Sequence, residues 1–346
     1  MTENSPAGHG FGIVGAGVIA AVHAEAIGMV PGARLAAVTD VVPESAKELA
    51  GRYGCAAEPD LDALLARPDV EVVSVCVPSG LHAEVGVRAA HAGKHLVVEK
   101  PIDVTLAAAD RLIEAARSAR VALTVISQHR FDAGLIAARR LLDDGALGRL
   151  VLGEASTKWY RTQAYYDSAA WRGTNAMDGG SLMNQGIHYV DLLRWCMGPV
   201  SEVTALCATQ THQIEVEDTS LAALRFASGA LGTIVASTSV FPGFAQRLEI
   251  TGTEGTITIE DGAIVRRAFS GGAHEPGGPH GAAAAAGSNP AAVDVASHAA
   301  QLEDLLTAIE AGREPAVTGE SGRATLEIIC AVYESARTGH AVTLAP

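Results

Sequence analysis

The end of one apolar segment carries side chains that could do acid–base chemistry. Residues 96–98 are Leu-Val-Val, and Glu99-Lys100-Pro101 follows directly. A buried lysine loses hydration, which disfavours its charged form and lowers its pKa unless the group is paired or used. Open α/β sheets bind their ligands at the carboxyl ends of the strands, which is where Lys100 would lie. Lys100 is therefore the first candidate catalytic residue, and the alternative is a strand-end salt bridge with Glu99 that faces water.

A second candidate set lies on a predicted helix over residues 182–197, for which Ser181 is the expected N-cap. Asn184, His188 and Asp191 fall on one face of that helix at helical spacing. Histidine, with an ordinary pKa of about 6.5, can take or give a proton near neutral pH. Most other positions of the helix are apolar. The polar stripe is either a functional surface or the solvent-facing side of the helix, and the pattern alone leaves both open.

A glycine-rich turn near the amino terminus has the spacing of a dinucleotide-binding motif. It follows a predicted strand, opens a predicted helix and reads Gly15-Ala16-Gly17-Val18-Ile19-Ala20. The first glycine permits the turn, the second allows close approach of a pyrophosphate, and the small third residue lets helix and strand pack closely. The helix N-terminus adds N–H groups and a positive dipole. The residues expected to hold the diphosphate are Gly15, Gly17, Val18 and Ile19.

Asp40 ends the second predicted strand and is the expected ribose ligand. Its carboxylate can accept hydrogen bonds from both hydroxyls of the adenosine ribose and would repel a 2′-phosphate. Val41 and Val42 supply no cation for such a phosphate. The cofactor is therefore predicted to be NAD rather than NADP, and the alternative for Asp40 is a turn or helix-capping aspartate.

The elements that must position these residues fall into two series. Residues 11–127 alternate short apolar strands with helices of about a dozen residues, which predicts a parallel sheet covered on both faces. Beyond residue 128, alternating strands follow one another, and Ser228-Gly229 supplies a tight turn. The fold class is α/β: an N-terminal Rossmann parallel sheet plus a C-terminal α+β domain with an open, largely antiparallel sheet. The predicted domains are 1–128 and 129–346, and Gly- and Ala-rich residues 269–292 are predicted to be a flexible loop.

Composition excludes several classes of function. The net charge of -14 argues against nucleic-acid or anionic-membrane partners, which leaves a small organic ligand. No apolar stretch approaches the ~20 residues of a membrane span. Residues 1–10 lack a secretory signal, and the five scattered cysteines form no Cys-x-x-Cys pair. We therefore expect a cytoplasmic protein with reduced thiols. No His, Asp or Glu cluster has metal-ligand spacing, so no metal is predicted, and His274 and His280 are expected to be solvated.

Taken together, the motifs resemble the Gfo/Idh/MocA family (glucose–fructose oxidoreductase, inositol dehydrogenase and MocA). The resemblance covers nearly the whole chain in the right order. The matching pieces are residues 15–20, Val77-Pro78-Ser79 with His82, Glu99-Lys100-Pro101, Gln128 with Arg130-Phe131, Gly179-Gly180 leading to Asn184, His188 and Asp191, Gly252-Thr253-Glu254-Gly255, and residues 326–336. This implies an NAD-dependent dehydrogenase that transfers hydride between nicotinamide and a secondary hydroxyl of a sugar, cyclitol or nucleotide-sugar. It also implies a homodimer or homotetramer formed through the C-terminal sheet.

The resemblance assigns roles to matched residues. Lys100 and His188 would flank the reacting carbon, and we interpret His188 as the general base and Lys100 as a hydrogen-bond donor to the developing alkoxide; the reversed assignment stays open. The residues implied for substrate binding are Lys100, Tyr165, Arg172, Asn184, His188 and Asp191. Those implied for cofactor binding, besides the glycine-rich turn and Asp40, are Pro78, Ser79, His82, Glu99, Lys100, Gln128, Trp171 and Arg172. A surface histidine for His82, a salt bridge for Arg172, and packing for Trp171 and Tyr165 are the alternatives.

Asn184, which completes the predicted catalytic set, departs from one branch of the family. Inositol dehydrogenases of the family carry aspartate four residues before the histidine. A neutral amide cannot raise the basicity of His188 as a carboxylate would, although it can orient the ring or the substrate. Asparagine here resembles the branch that oxidises nucleotide-linked sugars at C3. A non-catalytic NAD-binding regulator and a reductase of a dihydrodiol, imine or oxo-glycoside are the alternative functions.

Overall fold

The computed structural model describes residues 8–272, 275–276 and 295–345. The chain forms two compact units: Met1–Gln128 with Val293–Arg323, and His129–Ala292 with Ala324–Pro346. Most of the predicted 269–292 loop, with His274 and His280, lies outside the described residues.

The first unit is built on a parallel sheet. Its strands are β1 (His9–Val14), β2 (Ala33–Thr39), β3 (Ala56–Ala57), β4 (Val72–Val75), β5 (His95–Val98) and β6 (Leu123–Val125). The helices between them are α1 (Val18–Met29), α2 (Pro43–Tyr53), α3 (Leu61–Leu65), α4 (His82–His91) and α5 (Leu106–Ala119). The sheet order is β3-β2-β1-β4-β5-β6, and every described pairing is parallel. The strands are apolar on both faces because helices cover both sides, and the predicted Rossmann sheet is confirmed.

The second unit carries a nine-stranded open sheet. Its strands are β7 (Leu150–Lys158), β8 (Val200–Ala208), β9 (Thr219–Phe226), β10 (Leu231–Ser237), β11 (Arg247–Gly252), β12 (Gly255–Glu260), β13 (Ala263–Phe269), β14 (Glu275–Pro276) and β15 (Val342–Thr343). Their order is β14-β13-β12-β11-β7-β10-β9-β8-β15. Among the described pairings only β7 with β10 is parallel, so the predicted largely antiparallel sheet is confirmed. The loop prediction is wrong at residues 275–276, where the backbone pairs with β13.

The helices of the second unit include one whose start differs from the prediction. They are α6 (Ala133–Asp143), α7 (Gln163–Asp167) and α8 (Ile187–Met197). Residues Leu182–Gly186, predicted as the first turns of one α-helix, form a π-helical turn before α8. Ser181 makes no side-chain cap, because the carboxylate of Glu217 accepts the N–H of Leu182 at 2.8 Å. A partner that is distant in sequence, in the loop before β9, has therefore replaced the local cap.

Helix α9 (Val295–Ala311) packs in the first unit, whereas the sequence-based boundary places it in the second. Leu302, Leu305 and Leu306 share one core cluster with Ala24 and Ile27 of α1. Burial of the apolar face of α1 needs this partner, and order along the chain does not reveal it. Helix α10 (Gly319–Thr338) follows. No helix in the described ranges is long and apolar enough to cross a membrane.

Candidate functional site

The glycine-rich turn joins β1 to α1 and has the shape that the motif predicts. Gly15 has φ +95° and donates its N–H to the Thr39 carbonyl at 2.8 Å. A Cβ at Gly15 would lie 2.5 Å from the Cys76 carbonyl oxygen, so a larger residue does not fit. A Cβ at Gly17 would meet nothing within 4 Å. Helix α1 has no side-chain N-cap, so no capping side chain accepts a hydrogen bond from its first N–H groups.

Asp40 organises the same turn. One carboxylate oxygen accepts the N–H of Ala16 at 2.6 Å and the other accepts the N–H of Val42 at 2.7 Å. Asp40 is therefore a turn aspartate, and each oxygen keeps a second lone pair. Val41 is 99% exposed and brings no cation to this edge. The open Gly17 position and the uncapped helix start fit a dinucleotide, with Val18 and Ile19 in the first turn of α1.

Two further turns at the same edge of the sheet are linked by His82. Its Nδ1 lies 2.7 Å from the Pro101 carbonyl oxygen and its Nε2 lies 3.0 Å from that of Val77. The ring is 1% exposed, and burial lowers its pKa. Both nitrogens face backbone, so the predicted direct contact of His82 with the cofactor is not supported.

Gln128 and Ser79 offer polar groups near this edge. Both are buried, and Gln128 Oε1 has no hydrogen-bond partner among the described residues. Pro78 and Ser79 form the turn that leads into α4. An orphaned buried oxygen fits an amide N–H of a bound ligand, in keeping with the prediction for Gln128.

Glu99 is 5% exposed, and both its oxygens are engaged. Oε1 lies 2.8 Å from His23 Nε2, and Oε2 accepts the backbone N–H of Lys100 at 3.0 Å. The predicted contact of Glu99 with the cofactor therefore has no support either. His298 completes a buried group of three possible metal ligands with His23 and Glu99. Sequence spacing could not show this group.

In the second unit, Asp191 is fixed by an arginine. Arg130 donates to its two oxygens at 2.7 Å from Nε and 2.5 Å from Nη2, and Thr325 Oγ1 donates at 2.9 Å. Arg130 and Asp191 are 8% and 3% exposed. Asp191, predicted to bind substrate, thus has its oxygens occupied by a buried bidentate ion pair that anchors α8.

The predicted catalytic residues of this unit have partners that the sequence does not reveal. Asn184 Nδ2 donates a short hydrogen bond to Asp178 Oδ1, and Asp178 Oδ2 accepts the Gly173 N–H at 2.7 Å. Asp178 is 1% exposed. The ring of His188 meets that of His129 edge to face at 5.2 Å. A buried carboxylate therefore stands beside the neutral amide of Asn184.

Arg172 lies in an aromatic cluster. Its guanidinium stands 4.5 Å from the centroids of both Tyr165 and Trp171, and Nη1 donates to the Tyr165 hydroxyl at 2.8 Å. A second cation, Arg161, is 5% exposed and stacks on Trp159 at 4.9 Å. Burial lowers the pKa of Arg161, and the neighbouring charge of Arg172 lowers it further.

Among the buried polar atoms of this cluster, Trp159 Nε1, Arg172 Nε and Gln185 Oε1 have no hydrogen-bond partner among the described residues. Within the described residues no carboxylate forms an ion pair with Arg172. Buried donors and an acceptor that lack a protein partner, beside a guanidinium, suit an anionic, hydroxylated ligand.

Sequence reasoning missed several of these groups. Asp178 directly precedes Gly179-Gly180, and Arg161 directly follows Trp159-Tyr160. The only sequence signal for either residue was a charge next to glycine or aromatic residues. Glu217, 8% exposed, caps the π-helical turn from a loop 35 residues away and had no local signal.

Comparisons with known proteins agree with this geometry. The model of the oxidoreductase family with an NAD-binding Rossmann fold matches residues 9–127, and the GFO/IDH/MocA C-terminal domain matches residues 135–258. An inositol 2-dehydrogenase of Rhizobium meliloti is 29% identical over 97% of this chain and 99% of its own. A myo-inositol 2-dehydrogenase of Thermotoga maritima is 31% identical over 72% and 75%. The structure of the WlbA dehydrogenase from Bordetella pertussis in complex with NADH and UDP-GlcNAcA is 32% identical, covers 98% of this chain and 99% of that one, and has a TM-score of 0.88.

Proposed function

Because this chain belongs to the Gfo/Idh/MocA family of NAD-binding oxidoreductases, we propose that its substrate is an acidic nucleotide-sugar. It is a dehydrogenase that acts on sugar hydroxyls with NAD. The proposal specifies which sugar it oxidises and at which carbon. We favour oxidation at C3 of a sugar that carries a carboxylate.

The observation that carries this proposal is the pair of cations Arg161 and Arg172 in the aromatic cluster. Two neighbouring guanidiniums repel one another, and at least one is desolvated. An anionic ligand offsets that repulsion through charge-assisted hydrogen bonds. The faces of Trp171 and Tyr165 suit the apolar face of a sugar ring.

A neutral cyclitol is the second candidate, since inositol dehydrogenases are among the relatives. Such a substrate gives the two cations no counter-charge. Asn184 in place of aspartate also favours the nucleotide-sugar branch. The anionic substrate is therefore the stronger proposal.

For the cofactor, we propose that Gly15, Gly17, Val18 and Ile19 present backbone N–H groups to the diphosphate. Asp40 would accept from the adenosine ribose with its remaining lone pairs. Gln128 would pair with the carboxamide, beside Pro78 and Ser79. Trp171 and Arg172 stay in the predicted set of cofactor contacts. When bound, NAD supplies the nicotinamide ring that accepts the hydride.

For the chemistry, we propose that His188 takes the proton of the reacting hydroxyl while the hydride leaves the same carbon. Lys100 would donate a hydrogen bond to the oxygen as negative charge develops there. Asn184, held by Asp178, would orient the substrate or the His188 ring. Glu99, His82 and Asp191 would then act as positioning residues, because their polar atoms already bind protein groups.

A substrate panel tests the choice of sugar. UDP-linked N-acetylglucosaminuronic acid, the same nucleotide with uncharged N-acetylglucosamine, and myo-inositol are incubated with enzyme and NAD while NADH absorbance is followed. We expect kcat/KM to be highest for the acidic sugar. The replacement Arg172→Gln should lower the ratio of kcat/KM for the acidic sugar to kcat/KM for the uncharged sugar by ten-fold or more. Equal rates for the two sugars would contradict the proposal.

Variants test the catalytic assignment. Lys100→Ala and His188→Ala should each lower kcat by at least about a hundred-fold, while NAD affinity, measured by calorimetry, stays within a few-fold. The control is Lys94→Ala, because Lys94 bonds backbone carbonyls away from this edge. Full activity in both variants would contradict the assignment of Lys100 and His188 as catalytic residues. A wild-type protein that binds NAD but oxidises no sugar would instead indicate the non-catalytic regulator.

We propose, finally, a homodimer or homotetramer formed through the second sheet. Leu152, Leu206, Leu221 and Leu231 are all exposed, and strand register puts them on one face. An apolar face of this kind suits a partner copy. Leu206→Lys with Leu221→Lys should lower the mass measured by light scattering, and an unchanged mass would exclude this face. The proposed compartment is the cytoplasm, since the five cysteines, all among the described residues, form no disulfide.

A further inference from the structure

His212, a buried histidine in the segment between β8 and β9, connects two distant parts of the second unit. Its side chain is 4% exposed, and its Nδ1 lies 3.0 Å from Asp218 Oδ2. Its Nε2 lies 2.9 Å from the carbonyl oxygen of Arg161. A carbonyl oxygen can only accept, so Nε2 carries a hydrogen and donates it. The ring therefore joins an aspartate of its own segment to the backbone of an arginine 51 residues away.

Asp218 holds the other side of this ring and is 0% exposed. Its Oδ1 accepts the N–H of Gln210 at 2.9 Å, and its Oδ2 accepts the N–H of Thr211 at 2.8 Å. Burial raises the pKa of Asp218, but these N–H donors and the His212 side chain lower it by more, to about 2. The carboxylate is therefore ionised at neutral pH and gathers the start of the segment around itself.

The backbone N–H of Arg161 leads to the same aspartate. It donates to the Thr238 carbonyl at 2.8 Å, and the Thr238 N–H donates to the Asp218 carbonyl at 2.9 Å. The Tyr166 hydroxyl lies 2.8 Å from Thr238 Oγ1, and the Tyr166 ring meets that of His212 edge to face at 4.8 Å. Thr238 and Tyr166 are both buried. Both backbone polar groups of Arg161 are thus fixed by a buried network that closes on Asp218.

The guanidinium of Arg161 needs such a fixed base. It stacks on Trp159 at 4.9 Å and on Tyr165 at 5.5 Å. Burial lowers the pKa of Arg161, and the charge of Arg172 lowers it further, which shows that the two cations repel one another. An arginine side chain has many rotamers, so a fixed backbone restricts where its guanidinium can lie.

We propose that His212 is a positioning residue for Arg161: its Nε2–H fixes the Arg161 carbonyl and so keeps the guanidinium beside Arg172 against their mutual repulsion. The inference rests on the proposed function, in which these two cations bind an anionic substrate. An anion that meets two prepositioned cations does not have to order them on binding, and its affinity is higher for that reason. His212 would thus act on the choice of substrate through Arg161.

Two replacements separate the two hydrogen bonds of the His212 ring. The amide of asparagine takes the place of Nδ1, so His212→Asn keeps a partner for Asp218 and loses the donor to Arg161. The longer glutamine places its amide where Nε2 was, so His212→Gln keeps that donor. The matched control is Thr209→Val, which removes a hydrogen bond of the same segment, from Thr209 Oγ1 to the Val216 carbonyl at 2.6 Å.

The first readout is the ratio of kcat/KM for UDP-linked N-acetylglucosaminuronic acid to kcat/KM for the uncharged UDP-N-acetylglucosamine. We expect His212→Asn to lower this ratio by about ten-fold or more, through a higher KM for the acidic sugar rather than a lower kcat. His212→Gln should keep most of the ratio, and Thr209→Val should not change it. An unchanged ratio in His212→Asn, or equal losses in His212→Asn and His212→Gln, overturns the proposal.

A double variant tests whether His212 acts through Arg161. Without the guanidinium there is no cation left to position, so His212→Asn with Arg161→Gln should have the same ratio as Arg161→Gln alone. A further loss in the double variant would mean that His212 acts on the substrate by another route, and it would contradict the proposal.

Crystal structures of the variants without substrate give the second readout. In His212→Asn we expect the Arg161 guanidinium to leave the Trp159 ring, and in His212→Gln to stay on it. An Arg161 that keeps its place in His212→Asn overturns the proposal. If the wild type does not prefer the acidic sugar, the proposed function fails, and these structures still decide the role of His212. If His212→Asn does not fold, His212→Phe, which keeps a ring against Tyr166 and has no donor, is measured by the same criteria.

Discussion

Two glutamates, one in each unit, are almost equally buried and titrate in opposite directions. Glu99 is 5% exposed and Glu217 is 8% exposed. Burial raises the pKa of both. At Glu99 the hydrogen bond and charge of His23, and the charge of Lys100, reverse that effect and bring the pKa to about 2. At Glu217 burial prevails, and the pKa is about 7.

The difference between the two pKa values comes from the hydrogen-bond partners of each carboxyl group rather than from how deeply it is buried. Glu217 Oε1 accepts from Leu182 N–H at 2.8 Å and lies 3.2 Å from the hydroxyls of both Ser181 and Ser220. All of these groups are neutral. Hydrogen bonds from neutral donors lower the pKa of a buried carboxyl, but they do not offset the loss of hydration without a cation. Glu99 therefore stays ionised beside its cation, whereas Glu217 caps the π-helical turn and can bind a proton.

The largest expected loss of stability comes from a side chain placed in the space that the Glu217 carboxylate occupies. A Cβ at Gly180 would lie 1.4 Å from Glu217 Oε2, so Gly180→Ala must displace the carboxylate and leave the Leu182 N–H unpaired. We expect a loss of about 4 kcal/mol in the free energy of unfolding, measured with denaturant.

Gly28→Ala is the control for this change, since a Cβ there would meet nothing within 4 Å. It should leave stability equal or higher. Gly180→Ala combined with Glu217→Ala should lose less than the sum of the single changes. Additive losses would show that Glu217 is not what excludes a side chain at Gly180.

Glu99→Gln should cost about 3 kcal/mol at neutral pH, because a buried imidazolium loses its counter-charge. Denaturant unfolding measures the loss. The control is Glu48→Gln, which removes a surface pair with Arg52 and should change little. A stability equal to that of the wild type would mean that His23 sheds its proton at no cost.

Glu217→Gln should raise the free energy of unfolding, whereas Glu99→Gln lowers it, and the size of the gain should depend on pH. The folded protein binds the Glu217 proton more tightly than the unfolded chain, whose glutamate has a pKa of about 4.5. This proton stabilises the fold fully below pH 4.5, and the contribution disappears as pH rises to about 7. Relative to the wild type, the variant should gain about 2 to 3 kcal/mol by pH 8.

Unfolding curves at several pH values from 4.5 to 8 check this expectation. Glu99 contributes a constant amount over that range, since its lowered pKa removes stability only as pH falls below about 4.5. A difference between wild type and Glu217→Gln that does not change with pH would contradict the raised pKa of Glu217.

The smallest expected effect extends the comparison to a third buried carboxyl, Asp178. Asn184→Asp would place a second carboxylate beside it, and one of the two must then keep a proton. We expect kcat to fall about tenfold at neutral pH, with an added ionisation in the pH profile. Asn184→Asp with Asp178→Asn should restore activity, and a rise in kcat in the single variant would show that a carboxylate at position 184 assists His188.

The two candidate regions, the glycine-rich turn and the surroundings of Asp191, differ in how far the sequence predicts them. Gly15 and Asp40 lie within one strand–helix–strand unit, so local spacing was enough to anticipate their turn. The partners of Asp191 are 61 and 134 residues away, at Arg130 and Thr325, and helical periodicity gives only the face on which Asp191 lies. The π-helical turn before α8 also escaped prediction, because Glu217, from outside the segment, determines its start.

The return of α9 to α1 has a consequence for how this molecule can be divided. The chain passes between the two units after Gln128, after Ala292 and after Arg323. A fragment that stops at Gln128 exposes the face of α1 that Leu302 and Leu305 cover. No single cut yields an intact nucleotide-binding half, so recombination that exchanges one half between relatives must carry two separate gene segments together.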